Sequence, residues 1–168
     1  YMYQRGLTDE LIEEFDIGFD GNTQCITFPV FDINKNPLFI ARRSVKYKFF
    51  NYPEGAEKPV YAAHKFVDGS YSEAIICESI LNTLTCWKYG RPSTALIGTG
   101  TDSQSEILKK LPVRKYILAT DPDKAGRRAA QRFIKALGES KLITQLVIPE
   151  GEDINSLDSR FLDLVEVF

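Results

Sequence analysis

Residues 120–123 read TDPD, and a glycine-containing basic stretch, KAGRRAAQRF, follows. Asp121 and Asp123 are therefore one residue apart. Two carboxylates this close repel each other, and one suffices to cap a helix start. The pair suits a hard divalent cation, which takes oxygen ligands and offsets their charge; magnesium is the common case. Pro122 between them fixes φ near −65°, which would hold the two in one orientation. Other acids stand at comparable places. Glu78 closes the apolar run EAIICE, and Glu150, Glu152 and Asp153 follow ITQLVIP.

The elements around these acids give them a common address. Residues 73–78, 93–100, 115–121 and 143–149 read as strands. Residues 80–90, 103–111, 124–138 and 157–167 read as helices, with Ser103 as a candidate cap. The alternation predicts an α/β unit with a mainly parallel sheet flanked by helices. Ligands of open parallel sheets bind beyond the carboxyl ends of the strands. Glu78, the Gly98-Thr99-Gly100 turn, Asp121, Asp123 and Asp153 all fall on that edge. Singly, Glu78 or Asp123 reads as a helix cap; together the strand-end acids read as a metal site. Gly126 lies in the first turn of its helix, where a side chain would obstruct the strand or the metal.

The first 68 residues differ in character. GLTDELIEEF is a short acidic helix starting at Thr8. CITFPVFD (25–32) and PLFIARRSV (37–45) are strands joined by the turn INKN. Next comes KYKFFNYPEGAEKPVYAAHKF, aromatic, basic and irregular. VDGS at 67–70 marks a boundary, giving a small α+β unit over 1–68 and the α/β unit over 69–168. Arg42, Arg43, Lys46 and Lys48 concentrate positive charge in a 168-residue chain of net charge −2. Such a patch positions a phosphate backbone without reading sequence. Tyr47, Phe49, Phe50 and Tyr52 lie among these cations, and core packing is expected of them over base stacking.

Composition is that of a soluble globular protein, 43% hydrophobic and 26% charged, with no membrane-length apolar run and no secretory signal. Cys25, Cys77 and Cys86 are odd in number and widely spaced, as expected of reduced thiols in a cytoplasmic protein. With one histidine, His64, and no CxxC, no zinc site is expected, and His64 is expected to pack or face solvent. The absence of an initiator methionine suggests a piece of a longer chain.

EAIICESILN, GTGTDSQSEILKKL, YILATDPDKAGRRAA and IPEGEDINSL, in this order, resemble the TOPRIM domain of primases, topoisomerases and some nucleases, over about residues 71–158. RGLTDELIEEFDIGF, ITFPVFDINKNPLFIARR and KFFNYPEG resemble the segment that precedes TOPRIM in DnaG-type bacterial and phage primases. The resemblance implies a Rossmann-like TOPRIM fold behind the small α+β unit. It also implies an RNA-polymerising nucleotidyltransferase acting in DNA replication, with Mg2+ or Mn2+, two ions, held by Glu78, Asp121, Asp123 and Asp153. Glu78, Asp121, Asp123, Arg42 and Lys48 would be catalytic, and Arg42, Arg43, Lys46 and Lys48 would meet nucleic acid or nucleoside triphosphate. Implied partners are a single-stranded DNA template, nucleoside triphosphates, the RNA primer and, through regions outside this chain, a replicative helicase.

The chain departs from that pattern at four points, the first being Ser79, where a glycine usually follows the first glutamate. The family usually has an aspartate four residues after the first glutamate, where this chain has Asn82. Asn155 replaces a further aspartate, and Pro122 stands where glycine is usual. The amides imply a less negative cluster with one metal position in doubt, and they lean toward a phage, plasmid or mobile-element origin. Two alternatives stay open: a TOPRIM nuclease or topoisomerase-like enzyme, and a degenerate, non-catalytic nucleic-acid-binding module.

Overall fold

The computed structural model describes residues 1–47, 50–52, 55 and 58–165, with only the backbone at 50 and 51. Two four-stranded sheets lie side by side. The first contains β1 (Gly18–Asp20), β2 (Cys25–Phe31), β3 (Pro37–Ser44) and β4 (Phe50–Asn51), antiparallel and in sequence order. The second contains β5 (Glu73–Cys77), β6 (Ser93–Ala95), β7 (Lys115–Ala119) and β8 (Leu142–Gln145), parallel and ordered β6-β5-β7-β8. The helices are α1 (Asp9–Glu14), α2 (Ile80–Lys88), α3 (Asp102–Lys110), α4 (Lys124–Leu137), α5 (Ile154–Leu157) and α6 (Phe161–Val165). This is the α/β architecture that the strand-helix alternation predicts. No helix among the described residues is long and apolar enough to cross a membrane.

Alternation along the parallel strands sorts their side chains onto two faces. Ala74, Ile76, Tyr116 and Leu118 pack with Phe133 of α4 and Leu108 of α3. Ile75, Cys77, Ile117 and Ala119 pack with Ile154, Leu157 and Phe161 of the C-terminal helices. Strands buried on both faces need such near-continuous apolar runs. Leu7, Leu11 and Phe15 form a third cluster with Ile26, Phe28 and Val30 of β2, and it continues into Ile80, Leu81 and Leu84 of α2. One apolar cluster thus crosses the position where composition suggests a boundary. Cys77 and Cys86 are buried with their sulfurs 3.9 Å apart and form no disulfide; Cys25 is also free. His64 is half-buried edge-on to Phe31, and burial lowers its pKa.

Three local expectations change. Thr101, rather than Ser103, caps α3, accepting from the Gln104 N–H at 3.3 Å. The last helix begins earlier and is broken. Asp153 and Ser156 form a reciprocal capping box that starts α5 at Ile154. Asp158 then takes φ 50°, and its carboxylate accepts from Lys88 Nζ at 2.9 Å and Tyr89 Oη at 2.8 Å. The short strands β1 and β4 carry no recognisable periodicity; they exist because they pair with the hairpin. Within that hairpin the INKN turn is held by Asp32, which accepts from the Asn34 and Asn36 N–H groups and from Asn36 Nδ2.

Candidate metal centre and nucleotide groove

The strand order places the site. From β5 the chain crosses to β6 on one side, then returns to β7 on the other, so a crevice opens between the carboxyl ends of β5 and β7. Cys77 and Ala119 are register partners, and the residues that follow them are Glu78 and Thr120-Asp121. Glu78 Oε1 accepts from the Asp121 N–H at 2.9 Å. Asp123 caps α4, its Oδ1 accepting from the Gly126 N–H at 2.7 Å. Gly126 is required by what surrounds it. A Cβ there would lie 2.1 Å from the Asp121 carbonyl oxygen and 2.8 Å from Glu78 Oε1. The Glu78 and Asp123 carboxylates and the Asp121 backbone thus meet around a glycine whose missing side chain leaves them room.

Their charges are felt. Burial is the largest influence on Glu78 and raises its pKa to about 7; the Asp121 N–H opposes this, and the Asp121 and Asp123 carboxylates add to it. A cation would relieve that repulsion. The donor set fits one: Glu78 Oε2 and Asp123 Oδ2 make no hydrogen bond or ion pair among the described residues. The acids do not form a ready-made cage, however. Among the described residues no three His, Cys, Asp or Glu side chains are gathered to hold a metal. Three of the four expected acids, Glu78, Asp123 and Asp153, are instead turned onto backbone N–H groups. Asp153 in particular accepts from the Ser156 N–H at 2.7 Å as the cap of α5.

An open groove of about 890 Å3 lies between the two sheets. Asp121, Asp123, Glu150, Glu152 and Asp153 line it on the α/β side, joined by Lys124 and Arg127. Arg5, Arg43, Lys46 and Tyr47 line it from the N-terminal half. Arg127 Nη1 donates to the Pro122 carbonyl at 2.5 Å instead of pairing with Asp123. Arg43 Nε donates to Tyr1 Oη at 3.3 Å. Arg5 was not singled out by sequence; nothing in its spacing sets it apart, and a contact 150 residues away brings it here, the bond from Asn155 Nδ2 to its carbonyl. Tyr47, expected in the core, is 74% exposed at the groove. Tyr52 does pack, edge-on to Phe39.

The predicted cations separate. Ile26 pairs with Arg43 and Thr27 with Arg42 across the hairpin. Ile26 is fully buried, so Arg43 shares the inner face and Arg42 the outer one. Arg42 Nε lies 3.9 Å from Asp20 Oδ2 and does not line the groove. Lys46 does. Lys48, with Phe49 and the side chain of Phe50, lies outside the described residues. The glycine turn after β6 approaches protein, not groove: Gly100, at φ 82°, leaves room for the Phe133 ring, which a Cβ would meet at 2.4 Å.

A Toprim-like family model matches residues 75–158, half of the sequence, and its span runs from β5 past Glu78, Asp121, Asp123 and Asp153 to the end of α5. The chain belongs to the Toprim-like family. The DNA primase of Pseudomonas aeruginosa is 29% identical over 168 residues, covering 88% of this chain and 24% of that protein. The chain spans about a quarter of the length of such curated relatives. A DnaG primase catalytic domain bound to single-stranded DNA superposes with TM-score 0.81 at 20% identity, covering 99% of this chain and 70% of that one. The primase fragment of the bacteriophage T7 primase-helicase protein gives 0.78 at 19%, covering 97% and 72%. Both halves of this chain, the antiparallel sheet and the Toprim-like sheet, therefore share the fold of the DnaG core.

Proposed function

We propose that this chain is the nucleotide-joining part of a primase, a metal-dependent nucleotidyltransferase that makes short RNA primers from nucleoside triphosphates on single-stranded DNA. The groove carries the proposal: acids at the strand ends face cations from a second sheet across about 890 Å3. Phosphoryl transfer needs little covalent help from protein. It needs reactants aligned and phosphate charge neutralised. A groove acidic on one side and basic on the other can do both.

In this reading Glu78, Asp121 and Asp123 hold a divalent cation, Mg2+ or Mn2+, and Asp153 is a further acid beside the incoming nucleotide. Bound there, such an ion stabilises the negative charge that phosphoryl transfer develops on oxygen. The protein's own work is positional. Asp123 fixes the start of α4, and Arg127 holds the Pro122 carbonyl, so the acids sit on a braced turn. Arg5, Arg43 and Lys46 meet the triphosphate and the template backbone from the opposite wall, contacts that orient a strand without reading it. A single-stranded template fits what the similar DnaG domain binds. A replicative helicase would be reached through other parts of the full-length protein.

The test is incorporation of labelled nucleoside triphosphates on single-stranded DNA, in magnesium and then manganese, with Asp121→Ala beside the parent. We expect short RNA products from the parent and a loss of at least a hundredfold in the variant, the scale of removing a main electrostatic contributor. Metal-dependent cuts in the template without RNA product would replace the proposal with a nuclease.

A further inference from the structure

We infer that the exposed ridge of α4 is a track for the phosphate backbone of single-stranded DNA, guiding the template strand as it leaves the groove. The inference rests on reading the groove as a nucleic-acid site, and it extends that reading to a surface outside the groove.

Helix α4 concentrates positive charge. Its 14 residues include Lys124, Arg127, Arg128, Arg132 and Lys135 and no acid, in a chain of net charge −2. Packing sorts these side chains. Gly126, Ala129, Ala130, Phe133 and Leu137 are buried, so the helical repeat turns Lys124, Arg128 and Lys135 to the opposite side, where all three are exposed. The ridge they form is about 16 Å long, eleven residues at about 1.5 Å each. Arg127 and Arg132 flank it, each donating to a backbone carbonyl, of Pro122 and of Thr99 respectively.

Cations elsewhere on the surface are matched by acids. Lys65, Lys88, Lys109, Lys115 and Arg160 each have a carboxylate oxygen within 3.5 Å. Among the described residues no cation of α4 is in an ion pair. Lys124 and Arg128 stand four residues apart, as do Arg128 and Arg132, so like charges meet along the helix and weaken it. A polyanion relieves that repulsion. Continuity with the groove singles out which one. Lys124 and Arg127 line the groove, and the helix runs from there back to the start of β8, which pairs with the start of β7. A strand emerging from the groove along α4 meets Arg128 and then Lys135. Phe133, the one aromatic residue of the helix, is buried, so the ridge offers no stacking platform. Its contacts are with phosphate, and such contacts hold a strand without reading it.

Binding of oligo(dT) strands of increasing length to the full chain, followed by fluorescence anisotropy over a series of salt concentrations, tests this. The parent is compared with the double variant Arg128→Gln, Lys135→Gln. Both side chains are exposed and glutamine matches them in helix propensity, so the fold is retained. Strands too short to leave the groove are expected to bind both proteins alike. On long strands the variant is expected to bind roughly tenfold more weakly at about 0.1 M salt. Its plot of log affinity against log salt should be shallower by about 1.4, two phosphate contacts at about 0.7 each. Equal affinity and slope on long strands would overturn the inference and leave the ridge to an acidic protein surface. Equal losses on short and long strands would also overturn it, because the two cations would then act on the groove through overall charge and not as a track. A parent that binds no strand of any length would overturn the groove reading itself, a distinct result.

Discussion

The two sheets contribute to one groove by different rules. In the parallel sheet, topology does the positioning. Whatever follows β5 and β7 arrives at the crevice, because both strands point there and are adjacent. Glu78 and Asp121 would reach it even if either strand were misjudged by a residue. In the antiparallel sheet, parity decides. Arg42 and Arg43 are neighbours in sequence, yet one lies near Asp20 on the outer face and the other lines the groove that Asp121 and Asp123 also line. A one-residue slip would exchange them. Residues at strand ends tolerate errors of register, and residues within a strand do not.

The comparison breaks first, and with the largest effect, at the strand-end side. Gly126→Ala puts a methyl group 2.1 Å from the Asp121 carbonyl oxygen. The backbone turn carrying the acids must move or α4 must shift. Overpacking at a rigid contact costs about 3 kcal/mol, and chemical denaturation should register it together with loss of incorporation. Stability equal to the parent's would mean that the turn is soft and that topology alone does not fix the acids.

On the antiparallel side the expected effects are smaller and opposed. On the proposed reading Arg43→Ala would remove a charged contact to phosphate, about 1.5–3 kcal/mol, or roughly ten- to a hundredfold, and the loss should fall on KM for the nucleotide. Arg42→Ala removes an exposed ion pair at 3.9 Å, worth about 1 kcal/mol at most, and incorporation should stay within about twofold. Steady-state kinetics of the two variants decide the matter. If Arg42→Ala is the damaging change, the face assignment is wrong or the template runs over the outer face of the sheet.

The same contrast explains what the sequence could carry. The parallel sheet, the strand-end acids and the room needed at Gly126 were legible, since each follows from apolar runs of strand length with helices between them. The choice between Arg42 and Arg43 was not, because the run PLFIARRSV is apolar on both parities and gives no inside or outside. Leu38 and Ile40 are 48% and 44% exposed although both are apolar. Arg5 and Asn155 were invisible as a pair for a different reason. Their bond spans 150 residues, and no local pattern records such a contact. The capping roles of Asp123 and Asp153 were half legible: each has a helix behind it, but a carboxylate can cap and ligate through different oxygens, and sequence alone does not divide the two.

The smallest expected effect separates the charge of the edge from its shape. Glu78 carries a pKa raised to about 7, chiefly by burial, against a usual value of 4.5. The folded, metal-free protein therefore holds its proton more tightly than the unfolded chain does. Stability from this group is present below about pH 4.5 and falls as pH rises through about 7, where the folded state must also ionise. Glu78→Gln removes the titration. At pH 5 the variant should match the parent. At pH 8 without metal it should be the more stable, by about 1 kcal/mol or less, because solvent screens a half-buried group. Added magnesium should reverse the order, stabilising the parent and leaving the variant unmoved. Thermal unfolding at the two pH values, with and without magnesium, reads all of this. A variant less stable than the parent at pH 8 without metal would mean that the bond from the Asp121 N–H to Glu78 outweighs the repulsion. The acids would then be held together by that bond, with no charge strain for a cation to relieve.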